Sequence, residues 1–314
     1  MKIVVLDAKT LGNVPNIHDI GRYGQVEIHE TTSPGQTAER ISDAEIIVTN
    51  KVVINAGIMD QCKNLQLICV SATGMNNIDL LAAKERGIAV KNAVGYSSES
   101  VAQHTFAMIF QLTNQIGYYD AYVKSGDYAQ SEIFTHYGPA SFELFDKQYG
   151  IIGMGNIGQT VAKIAEAFGA KVRYYSTTGK NHHQHYQSTT LRQLLETSDI
   201  ISIHAPLNTQ TQNLIGKKEL QAAKPTAILV NVGRGGIVEE DALAAAIDAG
   251  QIGGACIDVY ENEPLEANSP LLKVRNADRL VLSPHNAWAS VEARIRLVAM
   301  VVDNIADFVS GKDQ

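Results

Sequence analysis

Three residues in the last third of the chain have the chemistry to hold a carboxylate and move a proton. Arg234 lies in Asn231-Val-Gly-Arg-Gly-Gly236, Glu263 in Asp258-Val-Tyr-Glu-Asn-Glu-Pro264, and His285 in Ser283-Pro-His-Asn286. Arginine presents a fixed fork of donors that suits a carboxylate or a polarised carbonyl oxygen. Histidine exchanges a proton near neutral pH, and a glutamate behind it fixes its tautomer and favours its charged form. Each residue follows a short apolar run readable as a strand, and ligands of open α/β sheets bind outside the carboxyl ends of the strands. Together the three suit reduction of a carbonyl beside a carboxylate, with the hydride supplied by a nicotinamide. Taken singly, Arg234 could bridge loops, Glu263 could be a turn residue and His285 could be structural. The combination carries the reading.

A nicotinamide needs a fold that binds it. Gly153-Met-Gly155-Asn-Ile-Gly158 follows the apolar run Tyr149-Gly-Ile-Ile and precedes a helical stretch from Ile157 to Phe168, then Gly169 and a second strand-like run from Lys171 to Ser176. This is the strand, turn, helix, strand order of a dinucleotide fold. The first glycine permits the turn, the second lets backbone approach a pyrophosphate, and the third lets helix pack on strand. The pyrophosphate would rest on the helix N-terminus, where unpaired N–H groups and the dipole favour anions.

The elements around these motifs alternate. Before residue 98 the expected strands are Ile3–Leu6, Gln25–His29, Ile46–Thr49, Leu67–Ser71 and Ile88–Lys91, with a helix Ile78–Arg86 closed by Gly87. Beyond the fingerprint they are Asp199–His204, Ala227–Val232, Gly254–Val259 and Arg279–Leu282, separated by helices Leu191–Thr197, Lys217–Ala223 and Glu239–Ala249. Strand–helix alternation with near-continuous apolar strands predicts buried parallel sheets. A long helix is expected from about Ser100 to Ile116, capped by Ser98. The final helix, Val291–Val309, comes after the nucleotide sheet has its strands, so it is expected to return to the first domain. The expectation is an α/β protein of two doubly wound parallel-sheet domains. Residues 1–99 and 286–314 would form a flavodoxin-like substrate domain and 100–285 an inserted Rossmann coenzyme domain, with a cleft between them able to hinge shut. Residues 117–146, rich in tyrosine and phenylalanine and without a clear period, are expected to form an arm for a homodimer. A loop packed on its own chain is the alternative.

Composition narrows the class further. The 314 residues carry 26 basic and 33 acidic side chains, a net charge of −7, with no basic cluster, which speaks against nucleic-acid binding. No apolar run approaches the roughly 18 residues that span a bilayer. The chain begins directly in a strand, so no signal peptide is expected, and Cys62, Cys69 and Cys256 read as reduced core thiols of a cytoplasmic protein. The stretch Asn181-His-His-Gln-His185 lacks neighbouring cysteines or carboxylates, and no metal site is expected.

The order and spacing of Gly153–Gly158, His204-Ala-Pro-Leu207, Asn231–Gly236, Asp258–Pro264 and Ser283-Pro-His285 resemble the D-2-hydroxyacid dehydrogenase family over residues 1 to about 310. The resemblance implies that Arg234 holds the substrate's carboxylate and carbonyl. It makes His285 the acid in reduction and the base in oxidation, with Glu263 as its partner, and brings Asp258 to the nicotinamide carboxamide. Thr73, Gly74 and Met75 would form a backbone cradle for the substrate carboxylate, with Lys51 adding charge and Trp288 either reading the pocket or packing against the protein. Coenzyme contacts would come from Thr105, from Gly153, Gly155, Asn156, Ile157 and Gly158, and from Ser176, Ala205 and Pro206. Val232, Gly233, Arg234, Asp258, His285 and Ala287 would complete them. His104 and His204 could line the same crevice, although satisfied core positions are the default reading. Within the family, the segments Tyr174–Asn181 and His285–Ser290 look most like glycerate dehydrogenases, also called hydroxypyruvate reductases, acting on hydroxypyruvate or glyoxylate to give the D-hydroxy acid. D-lactate dehydrogenase and a non-catalytic NADH-sensing corepressor are the alternatives. One position departs from the pattern. Ser176 stands where NAD-using members commonly place an aspartate on the ribose hydroxyls, so NAD is expected with NADP left open.

Overall fold

A computed structural model describes residues 1–179 and 185–312, which fall into two compact units, Met1–Ser97 with Ala289–Gln314, and Ser98–Trp288. In the first unit, β1 (Lys2–Val5), β2 (Gln25–Ile28), α1 (Pro34–Ile41), β3 (Ile46–Thr49), α2 (Ala56–Met59), β4 (Leu67–Val70), α3 (Leu80–Glu85) and β5 (Ala89–Asn92) follow in turn. The five strands are all parallel in the order β2-β1-β3-β4-β5. That is the flavodoxin-like winding. Val4, Ile47, Ile68 and Val70 face one core cluster, while Ile3, Val5, Ile46, Val48 and Leu67 are buried at the alternating positions. A strand buried on both faces reads as a near-continuous apolar run, as β4 does throughout and β3 does up to Thr49.

The second unit begins with α4 (Ser98–Asn114) and α5 (Ile116–Lys124). Then come β6 (Gln148–Ile152), α6 (Asn156–Ala167), β7 (Lys171–Tyr175), β8 (Gln187–Ser188), α7 (Leu191–Thr197), β9 (Ile200–Ile203), α8 (Lys217–Ala222), β10 (Ile228–Asn231), α9 (Glu240–Asp248), β11 (Gly254–Ile257) and β12 (Leu280–Leu282). The seven parallel strands run β12-β11-β10-β9-β6-β7-β8, the Rossmann order with its switch point between β6 and β9. Tyr149, Ile151, Ile200, Val230 and Cys256 face a core closed by α4 and α6, and their neighbours Ile152, Ile201, Leu229, Ala255 and Ile257 face a second core.

The last helix, α10 (Val291–Val309), belongs to the first unit, although it follows the second in sequence. Ala293, Leu297, Val298, Val301, Val302 and Ile305 bury one stripe at helical spacing. Polar side chains tie it to early segments. Arg294 donates to Leu11 O (2.8 Å), Arg296 to Tyr96 O (2.9 Å) and Asn304 to Asn92 O (3.0 Å).

Three local readings differ from the sequence expectation. Ser98 is already inside α4 rather than its cap. The arm is not wholly irregular: α5 is a helix of nine residues without a buried face, so no amphipathic period marked it. The edge strand β8 is two polar residues long and held by pairing with Arg173 and Tyr174, which leaves no apolar pattern to read. All three cysteines are buried and free. Burial pushes the Cys62 and Cys69 thiols up to about 11 and 12, which keeps them protonated.

His204, just beyond β9, accounts for one polar core position. Its Nε2 lies 2.9 Å from Ser202 Oγ, while its enclosed Nδ1 has no partner among the described residues. Burial pushes the imidazole down to about 3 from its ordinary 6.5, so it folds neutral. The unfolded chain takes up this proton near pH 6.5 and the native state does not. Stability is therefore whole above that pH and falls by about 1.4 kcal/mol per pH unit as pH drops toward 3. Urea unfolding of His204→Gln should show a shallower loss than the native sequence between pH 6.5 and 4. Parallel curves would contradict a buried neutral histidine.

Candidate active site

The turn after β6 is shaped for a phosphate. Gly153 has φ +94, and a Cβ there would press on the Ala205 backbone at 2.9–3.0 Å, so two constraints demand glycine. A Cβ at Gly158 would overlap the Gly153 carbonyl oxygen, so only glycine lets α6 start this close to the strand. Gly155 caps α6 and faces open space, where a ligand's phosphates can approach the backbone. Asn156, Ile157 and Gly158 form the first helical turn, whose N–H groups have no acceptor within the helix. Ala205 and Val232 are buried beside this turn, and Ser176 is the residue directly after β7. These residues fit a dinucleotide. Thr105 differs from expectation: it is fully buried and its hydroxyl donates to Val101 O at 2.7 Å, so the side chain offers a ligand no exposed group.

The carboxyl ends of β10, β11 and β12 carry the three side chains that the sequence singles out. Arg234 is exposed after β10. Its Nη1 donates to Gly233 O (2.7 Å), and its own carbonyl accepts from Asn231 Nδ2 (2.9 Å). Asn231 Oδ1 also accepts from Gly233 N–H at 3.1 Å, so one buried asparagine ties both ends of the arginine loop. A Cβ on Gly235 would overlap the Tyr260 carbonyl, which shows how closely this loop packs on the one after β11. There Glu263 Oε1 accepts from Tyr260 N–H (3.1 Å), and Oε2 lies 2.7 Å from His285 Nδ1. A carboxylate only accepts, so Nδ1 carries the hydrogen and Nε2 is the nitrogen that Glu263 does not engage.

His285 is held in a conformation that side chains avoid, with φ +51. Such a residue costs on the order of 1–3 kcal/mol and persists only where neighbours impose it. Asp258, with no exposed surface, supplies most of that imposition. Oδ1 accepts from Ser283 Oγ (2.6 Å) and Asn286 N–H (3.0 Å), and Oδ2 accepts from Ala287 N–H (3.0 Å). The single Ser283 proton goes to this carboxylate, so at 3.0 Å His104 Nε2 must be the donor to Ser283 Oγ. His104 is thus a polar strut from α4 to the histidine loop. Trp288 is partly buried and packs against the core of its own unit.

In the first unit, Lys51 follows β3, and its N–H donates to Asp7 Oδ2 at 2.7 Å, beside two bonds from Asn50 N–H to the same buried carboxylate. Thr73, Gly74 and Met75 form the turn after β4, where Thr73 Oγ1 donates to Ala93 O and Asn92 Nδ2 donates to Thr73 O. No group of three or more His, Cys, Asp or Glu suited to a metal is present among the described residues. Of the histidine-rich stretch, residues 181–184 lie outside them and His185 pairs with Glu166 at 3.2 Å. Among the described residues no helix is long and apolar enough to cross a membrane.

The sequence singles out Arg234, Glu263 and His285 but gives no role to Asn231, Tyr260, Ser283 or Gly235. Ser283 and Tyr260 lie inside quoted motifs, yet their partners are 23 and 25 residues away in sequence, beyond any local pattern.

The profile of the D-isomer specific 2-hydroxyacid dehydrogenase NAD binding domain matches residues 106–287. The chain is 37% identical over 314 residues to glycerate dehydrogenase of Methylorubrum extorquens, covering 100% of this chain and 98% of that one. It is 33% identical over 320 residues to hydroxypyruvate reductase of Blautia hydrogenotrophica, covering 99% and 98%. Among solved structures, D-lactate dehydrogenase of Aquifex aeolicus with NAD and lactic acid superposes with a TM-score of 0.84 at 27% identity, covering 99% of this chain and 96% of that one. The chain belongs to the D-isomer specific 2-hydroxyacid dehydrogenase family. It is an NAD-dependent oxidoreductase acting on the CH–OH group of small 2-hydroxy acids, or in reverse on 2-oxo acids.

Replacing Asp258 by Ala would leave Ser283 Oγ and two backbone N–H groups without their acceptor. The expected loss is about 3 kcal/mol or more of unfolding free energy in urea, at the usual 1–3 kcal/mol per buried orphan. A loss below 1 kcal/mol would show that the loop does not depend on this carboxylate.

Proposed function

We propose that this protein reduces hydroxypyruvate or glyoxylate to the 2-hydroxy acid, with Arg234, Glu263 and His285 as its catalytic residues. The 2.7 Å pair between His285 Nδ1 and Glu263 Oε2, at the strand ends beside the arginine loop, carries this reading. The bound coenzyme supplies the hydride to the carbonyl carbon. His285 gives the proton from Nε2 to the carbonyl oxygen and takes it back in oxidation, while Glu263 keeps the other nitrogen protonated and the ring aimed. The guanidinium of Arg234 retains donors beyond the one spent on Gly233 O and holds the carboxylate. Lys51, Thr73, Gly74 and Met75, which the resemblance implies as carboxylate donors, lie on the loops after β3 and β4 of the first unit. Asp258 has no exposed surface and spends three bonds on the histidine loop, so its part in this reading is to support that loop, not to contact the coenzyme's carboxamide. The relatives named for glycerate and hydroxypyruvate favour this substrate class over lactate.

For the coenzyme we infer NAD, with NADP accepted. Ser176 offers a hydroxyl where a carboxylate would repel a 2′-phosphate, and the first base that follows it, Lys180, lies outside the described residues. A panel of hydroxypyruvate, glyoxylate and pyruvate, each with NADH and NADPH, tests both choices. The first two should give the higher kcat/KM with either coenzyme. Pyruvate as the best substrate, or a strong preference for NADPH, would overturn the respective assignment. With the best pair, His285→Asn should lower kcat by roughly 10²–10⁴, the worth of a positioned acid–base group.

The arm supports self-association. Ile116 (63%), Val123 (54%), Phe134 (90%), Tyr137 (87%) and Phe142 (59%) stand exposed within thirty residues, far more apolar surface than an isolated arm retains in water. We infer a homodimer through this surface. Sedimentation at micromolar concentration should give twice the 34.0 kDa chain, and a monomer would reject it.

A further inference from the structure

Tyr260 touches every part of the catalytic arrangement without being one of its reacting groups. Its backbone N–H donates to Glu263 Oε1 at 3.1 Å, which leaves Oε2 for His285. Its phenol donates to Ser283 O at 2.8 Å, across 23 residues of sequence. That same carbonyl accepts His285 N–H at 3.1 Å, closing a three-residue turn around Pro284. The Gly235 backbone lies against the Tyr260 carbonyl so closely that no side chain fits between them. The ring itself is 7% exposed and packed in the core on one face of the sheet, so its position is set by burial rather than by solvent.

We propose that Tyr260 is a positioning residue for proton transfer: one side chain locates the carbonyl on which the His285 turn closes, and the same residue's backbone locates Glu263. The glutamate and the histidine come from different loops, after β11 and before α10, and their 2.7 Å contact depends on the two loops keeping one register. Tyr260 supplies that register from a single rigid, buried ring. His285 at φ +51 has lower-energy conformations within reach, and the Ser283 carbonyl is the part of its turn that Asp258 does not hold. Burial first, then the carboxylates of Asp258, Glu240 and Glu263, pushes the phenol up to about 12, so it remains a donor across the working pH range.

This proposal rests on His285 being the acid–base residue, and the test separates the two. Tyr260→Phe removes one oxygen and keeps the ring in the core. The kcat for 2-oxo acid reduction should fall about five- to tenfold, the rate equivalent of one hydrogen bond. KM and NADH affinity, read by quenching of Trp288 fluorescence or by NADH fluorescence, should stay within twofold. The solvent deuterium isotope effect on kcat should rise, because a less well aimed imidazole makes proton transfer more rate-limiting. A purely structural tyrosine would lower the melting temperature or the active fraction and leave the isotope effect unchanged. An unchanged kcat and isotope effect in Tyr260→Phe, with His285→Asn inactive, overturns the positioning role alone. Retained activity in His285→Asn overturns the underlying reading as well.

Discussion

The buried carboxylate of Asp258 is the interaction on which the reactive end of the second unit depends. It sits at the end of β11, where the sheet has just stopped supplying hydrogen bonds, and it accepts the donors of the segment after β12. Without an acceptor there, the Ala287 N–H would be buried and unpaired, the part-buried Asn286 N–H would lose its partner, and His285 would have no reason to keep a left-handed backbone. The first unit uses the same device. Asp7, just beyond β1, accepts the Asn50 and Lys51 N–H groups from the loop after the neighbouring strand β3. In each sheet a short acidic side chain replaces the strand ladder for one or two residues, which makes the loop above it rigid at the edge where ligands of such sheets bind.

Glycine does the complementary work by letting loops touch. At Gly153 the chain crosses the end of β9 beside Ala205, and at Gly235 the arginine loop meets the carbonyl of Tyr260. The phosphate turn is therefore set by the neighbouring strand as much as by its own helix. The arginine is positioned through backbone contact with the loop that carries its glutamate neighbour. Close approach of this kind is available only where no Cβ intervenes.

Much of this was legible beforehand because its physical signals are local. Buried parallel strands are predominantly apolar, so β3, β4, β9 and β10 announced themselves despite Thr49, Ser202 and Asn231, and the glycine spacing marked the turn between β6 and α6. Arg234, Glu263 and His285 stood out because an arginine, a carboxylate and a histidine each follow an apolar run, and the structure places the glutamate and the histidine in contact. Elements stabilised by distant partners left no such trace. β8 exists by pairing with β7, and α5 buries nothing within the chain. Ser283 and Tyr260 looked like ordinary loop residues because each earns its role from a partner more than twenty positions away. Thr105, whose position matches a family contact, is closed inside the protein with its hydroxyl turned to its own helix, a burial that no local pattern showed.

The split course of the first unit has a consequence for biosynthesis. Residues 98–288 hold every strand of the seven-stranded sheet, so that unit is complete in sequence while the ribosome is still adding α10. The amino-terminal half of the other unit has emerged long before, but Leu11, Asn92 and Tyr96 must wait for Arg294, Asn304 and Arg296. Vectorial synthesis thus orders the assembly: the strands of the nucleotide unit are all made before α10, and the five-stranded unit is completed only once α10 has been made.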